Sequence, residues 1–449
     1  MKKVITYGTF DIFHEGHYKL LKRAKELGDH LIVGVTTDNY DESRGKLNVQ
    51  ESLMQRIENV KASGLANEII IEEYEGQKIN DIQKYEVDIF AIGSDWAGKF
   101  DYLNEYCRVI YLERTKGVSS TKLRAKNNGV LKLGIVGYGR IANRFITESK
   151  YVSGVNVEGV FGPNLKSLKE FAEKHELAFF EKDLYAFLDK VEAVYIASPH
   201  LTHYDYIKKA LERKKHVLCE KPMVLSSLQS FDVYSLAEKK GCVLLEAIKT
   251  AYAPGFIRLV SVAKSGLIGK IKNVDATFTK LVDGEIRELD IDACGGSMTE
   301  LASYPLLAIV KLLGKEFENF NFFSYYDDKK KVDLFTKINL KYKSAIATAK
   351  VGLGVKSEGD LVISGTKGYI YVPSPWWKTE YFEIRFEENY YSKKYYSKFE
   401  GDGLRYELAE FLSMINKGIY KTFKLTPSES IAINSVIEQF IGGKNVQSI

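Results

Sequence analysis

The sequence predicts an α/β protein: two open parallel sheets in succession, then an α+β domain whose sheet is mainly antiparallel. Three observations predict this. Short β-branched runs alternate with amphipathic helical stretches from the first residues onward. The alternation stops at a polar, turn-forming stretch, Ala125 to Gly129, and restarts at Leu131. Beyond Pro254, long alternating segments replace the short runs.

The first strand is Val4–Tyr7. A helix follows over Tyr18–Leu27, with Leu20, Leu21, Ala24 and Leu27 on one face. Leu31–Thr36 is nearly all apolar, as a parallel strand covered on both faces must be. Glu68–Glu72, Ile89–Ile92 and Val109–Leu112 complete a domain over residues 1–126. Leu131–Val136, Val155–Phe161, Ala193–Ala197, His216–Cys219 and Val243–Glu246 form a second doubly wound series over residues 130–252. The third domain, 253–449, opens with a helix at Phe256–Lys264. It continues with strands such as Ile271–Val282 and Ala345–Leu353, a helix at Glu300–Leu313, and closing helices at Gly403–Ile415 and Pro427–Ile441.

With 449 residues, 45% of them hydrophobic and 27% charged, the chain can bury large cores. Its 64 basic and 59 acidic residues leave a net charge of +5 with no basic tract. That argues against nucleic-acid binding and suits small anionic substrates. The four cysteines, Cys107, Cys219, Cys242 and Cys294, form no CxxC pair, as expected of reduced thiols. No signal-like segment opens the chain and no apolar run reaches membrane-spanning length, so a cytoplasmic location without membrane insertion is expected.

The segment Gly8-Thr9-Phe10-Asp11-Ile12-Phe13-His14-Glu15-Gly16-His17 joins the first strand to the first helix. Parallel sheets bind ligands beyond the carboxyl ends of their strands, where this segment lies. Gly8 lets backbone amides approach a phosphate, and Gly16 lets His14 and His17 turn toward one site. A helix N-terminus there attracts anions. A lone histidine is more often structural, but two flanking a glycine at such a turn point to function. A metal site lacks a third ligand at suitable spacing, so no protein-held metal is expected. After Val109–Leu112 comes Arg114-Thr115-Lys116-Gly117-Val118-Ser119-Ser120-Thr121. Gly117 makes a turn, and Ser119, Ser120 and Thr121 would cap a helix and offer hydroxyls and amides to a triphosphate. A plain helix cap is the bland alternative.

With the stretch Gly93-Ser94-Asp95-Trp96-Ala97-Gly98-Lys99-Phe100-Asp101 through Cys107, these motifs make the first 124 or so residues resemble the glycerol-3-phosphate cytidylyltransferases, a family of the HxGH nucleotidyltransferases. The resemblance implies CTP as substrate, with Gly8, Thr9, Phe10, Asp11, Asp95, Thr115, Ser119, Ser120 and Thr121 at the nucleotide. His14 and His17 would neutralise the α-phosphate and the leaving oxygen, while Lys46 and Arg114 stabilise the transition state. Arg56 is the candidate contact to the acceptor phosphate, with Arg44 assisting, and Mg²⁺ accompanies the triphosphate. Adenylyl transfer is the lesser alternative.

In the second domain, Gly137-Tyr138-Gly139-Arg140-Ile141-Ala142 follows a strand and opens a helix, the required context for a dinucleotide fingerprint. The second strand ends in Phe161-Gly162-Pro163-Asn164, without the usual ribose-binding carboxylate, so NAD and NADP both stay open. Ser198-Pro199 through His203, and Glu220-Lys221-Pro222, end two further strands. With Gly266–Gly269, Gly295-Gly296 and Gly365–Gly368, these motifs resemble the Gfo/Idh/MocA oxidoreductases from Leu131 onward.

That resemblance implies an NAD(P)-binding Rossmann domain followed by a sheet domain for substrate binding and oligomerisation, as a homodimer or homotetramer. Gly137, Gly139, Arg140, Ile141, Ala142, Ser198, Pro199, His203 and Glu220 would hold the dinucleotide. Lys221 would contact the reacting oxygen and shuttle its proton. Glu300 and Tyr304, four apart on the expected helix, would share a face toward the substrate, with Tyr304 as acid/base. The two halves together suggest one pathway from a phosphorylated or free sugar or keto compound, through a polyol phosphate, to a CDP-polyol for a cell-wall or capsular polymer. A second reading makes the C-terminal half a dinucleotide-holding or oligomerisation module without catalysis.

Overall fold

A computed structural model describes residues 1–43, 49, 51–74, 76–113, 130–387 and 392–449. The chain forms two compact units: residues 1–131 with 150–156, and residues 132–149 with 157–449. The regions read above as a second and a third domain thus share one unit.

The first unit is built on five parallel strands, β1 (Lys3–Gly8), β2 (His30–Thr36), β3 (Glu68–Glu72), β4 (Ile89–Gly93) and β5 (Arg108–Leu112), in the order β3-β2-β1-β4-β5. Alternate residues feed two cores. Val4, Leu31, Val33 and Ala91 pack against Leu21, Ala24 and Val60. Ile5, Tyr7, Ile32 and Phe90 pack against Ile82 and Leu103 on the opposite face. Burial on both faces explains the absence of polar alternation in β2. The first helix spans Glu15–Lys25, earlier than the apolar periodicity indicated, because His14 itself caps it.

The second unit contains β6 (Leu131–Val136), β7 (Val155–Phe161), β8 (Phe179–Glu181), β9 (Ala193–Ile196), β10 (His216–Glu220) and β11 (Leu244–Ala247), in the order β11-β10-β9-β6-β7-β8. This is the doubly wound dinucleotide-fold order, which reverses at β6. The same unit holds β12 (Ile271–Thr279), β13 (Asn319–Tyr326), β14 (Asp333–Lys341), β15 (Ile346–Gly352), β16 (Leu361–Gly365), β17 (Tyr369–Val372), β18 (Tyr381–Arg385), β19 (Lys393–Tyr396) and β20 (Val446–Ser448) in a nine-stranded mixed sheet, ordered β19-β18-β17-β16-β12-β15-β14-β13-β20. Its centre is β12 (Ile271–Thr279), parallel to β15 (Ile346–Gly352) and antiparallel to β16 (Leu361–Gly365). Most of the remaining pairs are antiparallel. The helix Ser303–Leu313 is buried almost all round, between β12 and the last helix, Pro427–Ile441.

The expected helix Glu300–Leu313 is in fact two, Ser297–Leu301 and Ser303–Leu313, meeting at Ala302. Pro305 is the physical reason. It has no N–H to donate to the Leu301 carbonyl, and its ring crowds that carbonyl. Ala302 itself keeps helical φ and ψ of −64° and −25°, so the backbone continues through the junction.

A buried ion pair ties the Leu404–Lys417 helix to the Arg140–Ser149 helix. Arg405 Nε and Nη2 donate to Glu148 Oε2 and Oε1 at 2.9 and 2.8 Å. Breaking one side of such a pair costs about 3–5 kcal/mol. Glu148→Ala is therefore expected to lower the urea midpoint of this unit, and Glu148→Gln to lower it less. An unchanged midpoint for the alanine variant would contradict this account. No helix among the described residues is long and apolar enough to cross a membrane.

Candidate active sites

The sheet order of the first unit reverses between β1 and β4, so a crevice opens at their carboxyl ends. The chain leaves β1 through a strained turn in which Phe10 has φ 53° and Ile12 φ 45°. A positive φ at a β-branched residue is rare and is held only by surrounding contacts. Here Ile12 N donates to Glu51 Oε2 at 2.7 Å, and Glu51 N donates to Asp11 Oδ1 at 3.0 Å. The turn delivers His14 to the helix N-cap, where its Nδ1 accepts from Gly16 N at 3.0 Å. A Cβ on Gly16 would lie 2.9 Å from His14 Cε1, so only glycine fits under that ring. The His14 and His17 rings stack, with centroids 3.8 Å apart, and Phe10 and Phe13 pack against His17. Asp95 lies in the turn Ser94–Trp96 at the end of β4, across the crevice opening.

Several expected contacts are directed inward instead. Thr9 Oγ1 donates to Asp41 Oδ1 at 2.9 Å, Phe10 belongs to the core, and Asp11 is buried. A Cβ at Gly8 would meet the Phe10 ring at 3.0 Å, so Gly8 also serves packing. Arg56 is fully buried. Its Nη1 donates to Thr9 O and Thr36 O at 2.8 and 2.9 Å, its Nε donates to Glu51 O at 3.1 Å, and its Nη2 is paired with Asp38. The expectation that Arg56 meets the acceptor phosphate is therefore corrected: its guanidinium pins the ends of β1 and β2 together. Arg44, Lys46, Arg114, Thr115, Ser119, Ser120 and Thr121 lie outside the described residues.

In the second unit, β6 runs into Gly137 at φ 102°, where a Cβ would collide with Ala197 O at 2.8 Å. A Cβ on Gly139 would meet nothing within 4 Å, so the turn leaves open room at the N-terminus of the helix Arg140–Ser149. Ala142 is fully buried beneath it. These features fit a bound pyrophosphate. Asn164, where a ribose-binding carboxylate was sought, caps the helix Leu165–His175.

His203 and Glu220, expected beside the dinucleotide, are instead buried supports. His203 Nδ1 and Nε2 lie 3.1 and 2.9 Å from Pro222 O and Ser198 O, bracing two strand-end loops. Glu220 Oε1 accepts from Tyr195 Oη at 2.6 Å, and burial pushes the Glu220 carboxyl up. Lys221 Nζ donates to Glu300 O at 2.9 Å and sits 5.9 Å from the Tyr304 ring centroid. Glu300 and Tyr304 thus meet at Lys221 from either side of the helix break. The Glu300 carboxylate turns away, with Arg287 Nη1 at 2.8 Å and His200 Nε2 at 3.8 Å. Burial, then the His203, Lys221 and Arg287 charges, lowers His200 well below the usual imidazole range, so it is neutral. Phe278 packs on Tyr304 at 5.1 Å and stacks on Trp377 at 3.7 Å, forming an aromatic wall.

His200 stands inside a motif the sequence exposes, but its partners do not. Arg287, Lys280, Phe278 and Trp377 belong to no motif and are brought in only by tertiary folding. Among the described residues, no group of three or more His, Cys, Asp or Glu side chains could hold a metal ion.

These two sites define a nucleotidyltransferase fused to an oxidoreductase. The chain belongs to the cytidylyltransferase-like family over residues 5–126, and its residues 131–247 match the model of an oxidoreductase family with an NAD-binding Rossmann fold. Its N-terminal part is 55% identical over 124 residues to the glycerol-3-phosphate cytidylyltransferase of Bacillus spizizenii, covering 28% of this chain and 95% of that protein. It is 45% identical to the same enzyme of Bacillus subtilis, covering 29% of this chain and 100% of that protein. The remainder is 26% identical over 330 residues to trans-1,2-dihydrobenzene-1,2-diol dehydrogenase of Sus scrofa, covering 69% of this chain and 95% of that protein. Among solved structures, KijD10, a 3-ketoreductase from Actinomadura kijaniata in complex with NADP and TDP-benzene, shares the fold with a TM-score of 0.65 at 19% identity. That match covers 71% of this chain and 99% of that one.

Two buried carboxyls support this site. Asp333 Oδ2 accepts from Met298 N at 3.0 Å and caps the helix that bears Glu300. Glu246 Oε1 accepts from Met223 N at 2.9 Å behind Lys221-Pro222. Burial pushes each up to about 7. A carboxyl with a raised folded pKa binds its proton more tightly when folded, so stability should fall as pH rises from about 4 to about 7. We expect denaturation midpoints to decrease across that window, and Asp333→Asn to flatten the slope. An identical slope in the variant would remove Asp333 from the account.

Proposed function

We propose that the first unit transfers CMP from Mg²⁺-bound CTP to a polyol phosphate, glycerol 3-phosphate or a close analogue. A phosphate oxygen of the acceptor attacks the α-phosphorus, the bond to the bridging oxygen breaks, and pyrophosphate leaves with the electron pair. The observation that carries this reading is the stacked His14–His17 pair on a capped helix N-terminus at the sheet's switch point. From there the imidazoles would neutralise charge on the α-phosphate and the leaving oxygen, with Lys46, Arg44, Arg114, Thr115, Ser119, Ser120 and Thr121 assigned to the triphosphate. Arg56 and Asp11 act as positioning residues that hold the strained turn, and Asp95 is assigned to the nucleotide.

In the second unit, Gly137, Gly139, Arg140, Ile141, Ala142, Ser198 and Pro199 would hold NAD or NADP, which when bound supplies or accepts a hydride. Lys221 holds the proton at the reacting oxygen, and Tyr304, behind it, orients the amine and exchanges that proton. We read the reaction as formation of the polyol phosphate from its carbonyl precursor, feeding a CDP-polyol into teichoic-acid-like or capsular polymer synthesis. This places the chain in the cytoplasm, where CTP and NAD(P)H are found.

His14→Ala is expected to cut pyrophosphate release from CTP by about 10²–10³-fold while leaving dinucleotide binding intact. Lys221→Ala should do the reverse, abolishing NAD(P)H oxidation and sparing pyrophosphate release. Normal transfer by the histidine variant rules out the site.

A further inference from the structure

Burial sorts the charges around Lys221 by sign. Glu288 and Glu300 are 9% and 8% exposed, whereas Arg140, Lys280 and Arg287, their partners, are 68%, 37% and 37% exposed. Arg140 Nη2 lies 2.5 Å and Lys280 Nζ 4.0 Å from the same Glu288 oxygen, and Arg287 Nη1 lies 2.8 Å from Glu300. Lys221 Nζ donates to a backbone carbonyl and has the buried Glu220 carboxyl as its charge neighbour. Outside the Lys221–Glu220 neighbours, three cations, Arg140, Lys280 and Arg287, therefore face two carboxylates, Glu288 and Glu300. Burial lowers the Lys280 amine from the ordinary lysine range. The Arg140 and Lys221 charges lower it further, against the pull of Glu288.

Such a surplus, with its counter-charges beneath it and its cations toward solvent, is stabilised by an anion. Arg140 opens the helix after the glycine turn, where the dinucleotide's pyrophosphate would lie. Lys280, just past the end of β12, and Arg287, in the turn Arg287–Leu289, come from the antiparallel region and remain for a second anion. We infer that Lys280 and Arg287 form a subsite for a phosphoryl group of the carbonyl substrate, so that the reductase takes a phosphorylated compound in preference to a free sugar. The inference rests on the reductase reading given above. A phosphomonoester and a CDP ester share this chemistry.

The test is steady-state NAD(P)H oxidation by the full chain with dihydroxyacetone phosphate against dihydroxyacetone, and fructose 6-phosphate against fructose. Each phosphorylated probe is run with and without Mg-CTP. The wild type should favour the phosphorylated member by about tenfold or more in kcat/KM. Lys280→Gln and Arg287→Gln should each raise its KM about tenfold, with little change in kcat or in the KM of the free compound. Arg287→Lys, which keeps a charge beside Glu300, should recover part of the loss. NADPH fluorescence titration, unchanged in every variant, separates a lost subsite from a lost fold. Stimulation by CTP supports the subsite with a CDP ester as its occupant, and no stimulation supports it with the phosphomonoester. A wild-type preference that survives both glutamine substitutions overturns the subsite and leaves the reductase standing. Turnover of free compounds alone, or of none, overturns both.

Discussion

Both sites rest on one constraint of parallel sheets: a strand that must hand its chain to a helix on the sheet face does so through a tight turn. That turn ends at unsatisfied backbone amides. In the first unit the turn is forced into positive φ at Phe10 and Ile12, and His14 becomes the cap. In the second it is relaxed by Gly137, and the open side of Gly139 is left where a phosphate fits. The same topology thus yields a catalytic turn in one unit and a docking turn in the other.

The second unit also shows how buried carboxyls organise a cationic site. Asp333 caps a five-residue helix from a neighbouring strand, Glu246 fastens the backbone behind Lys221-Pro222, and Glu220 takes the Tyr195 hydroxyl. Glu220 and Glu246 also act on the Lys221 charge from within the core. Each fixes a loop whose own sequence lacks the means to hold itself, and the low dielectric around them strengthens those hydrogen bonds.

Much of this architecture is legible in the sequence, because burial on both faces writes itself as short apolar runs, as in Leu31–Thr36 and Leu131–Val136. The two glycine turns and the histidine pair are legible too, since chemistry and backbone conformation both restrict which residues stand there. What escapes is anything decided by side-chain direction. Arg56 stands where the resemblance puts a phosphate contact, yet its donors go to the nearby Glu51 carbonyl and to the Thr9 and Thr36 carbonyls at the ends of two strands. Glu300 stands where a catalytic carboxylate was expected, yet only its backbone carbonyl meets Lys221. Pro305, which cannot donate to the Leu301 carbonyl, interrupts the hydrogen-bond ladder between Glu300 and Tyr304.

The break at Ala302 carries a consequence for how such a site diversifies. The segment beyond it is locked by apolar neighbours on every side, and the short segment before it is buried too, its start held by the Asp333 carboxyl and by Ser297, whose hydroxyl donates to Asp333 O and accepts from Leu353 N. Both arms of the junction are thus fixed by burial, so substrate choice is reset more cheaply at exposed residues around the site than on this turn of backbone.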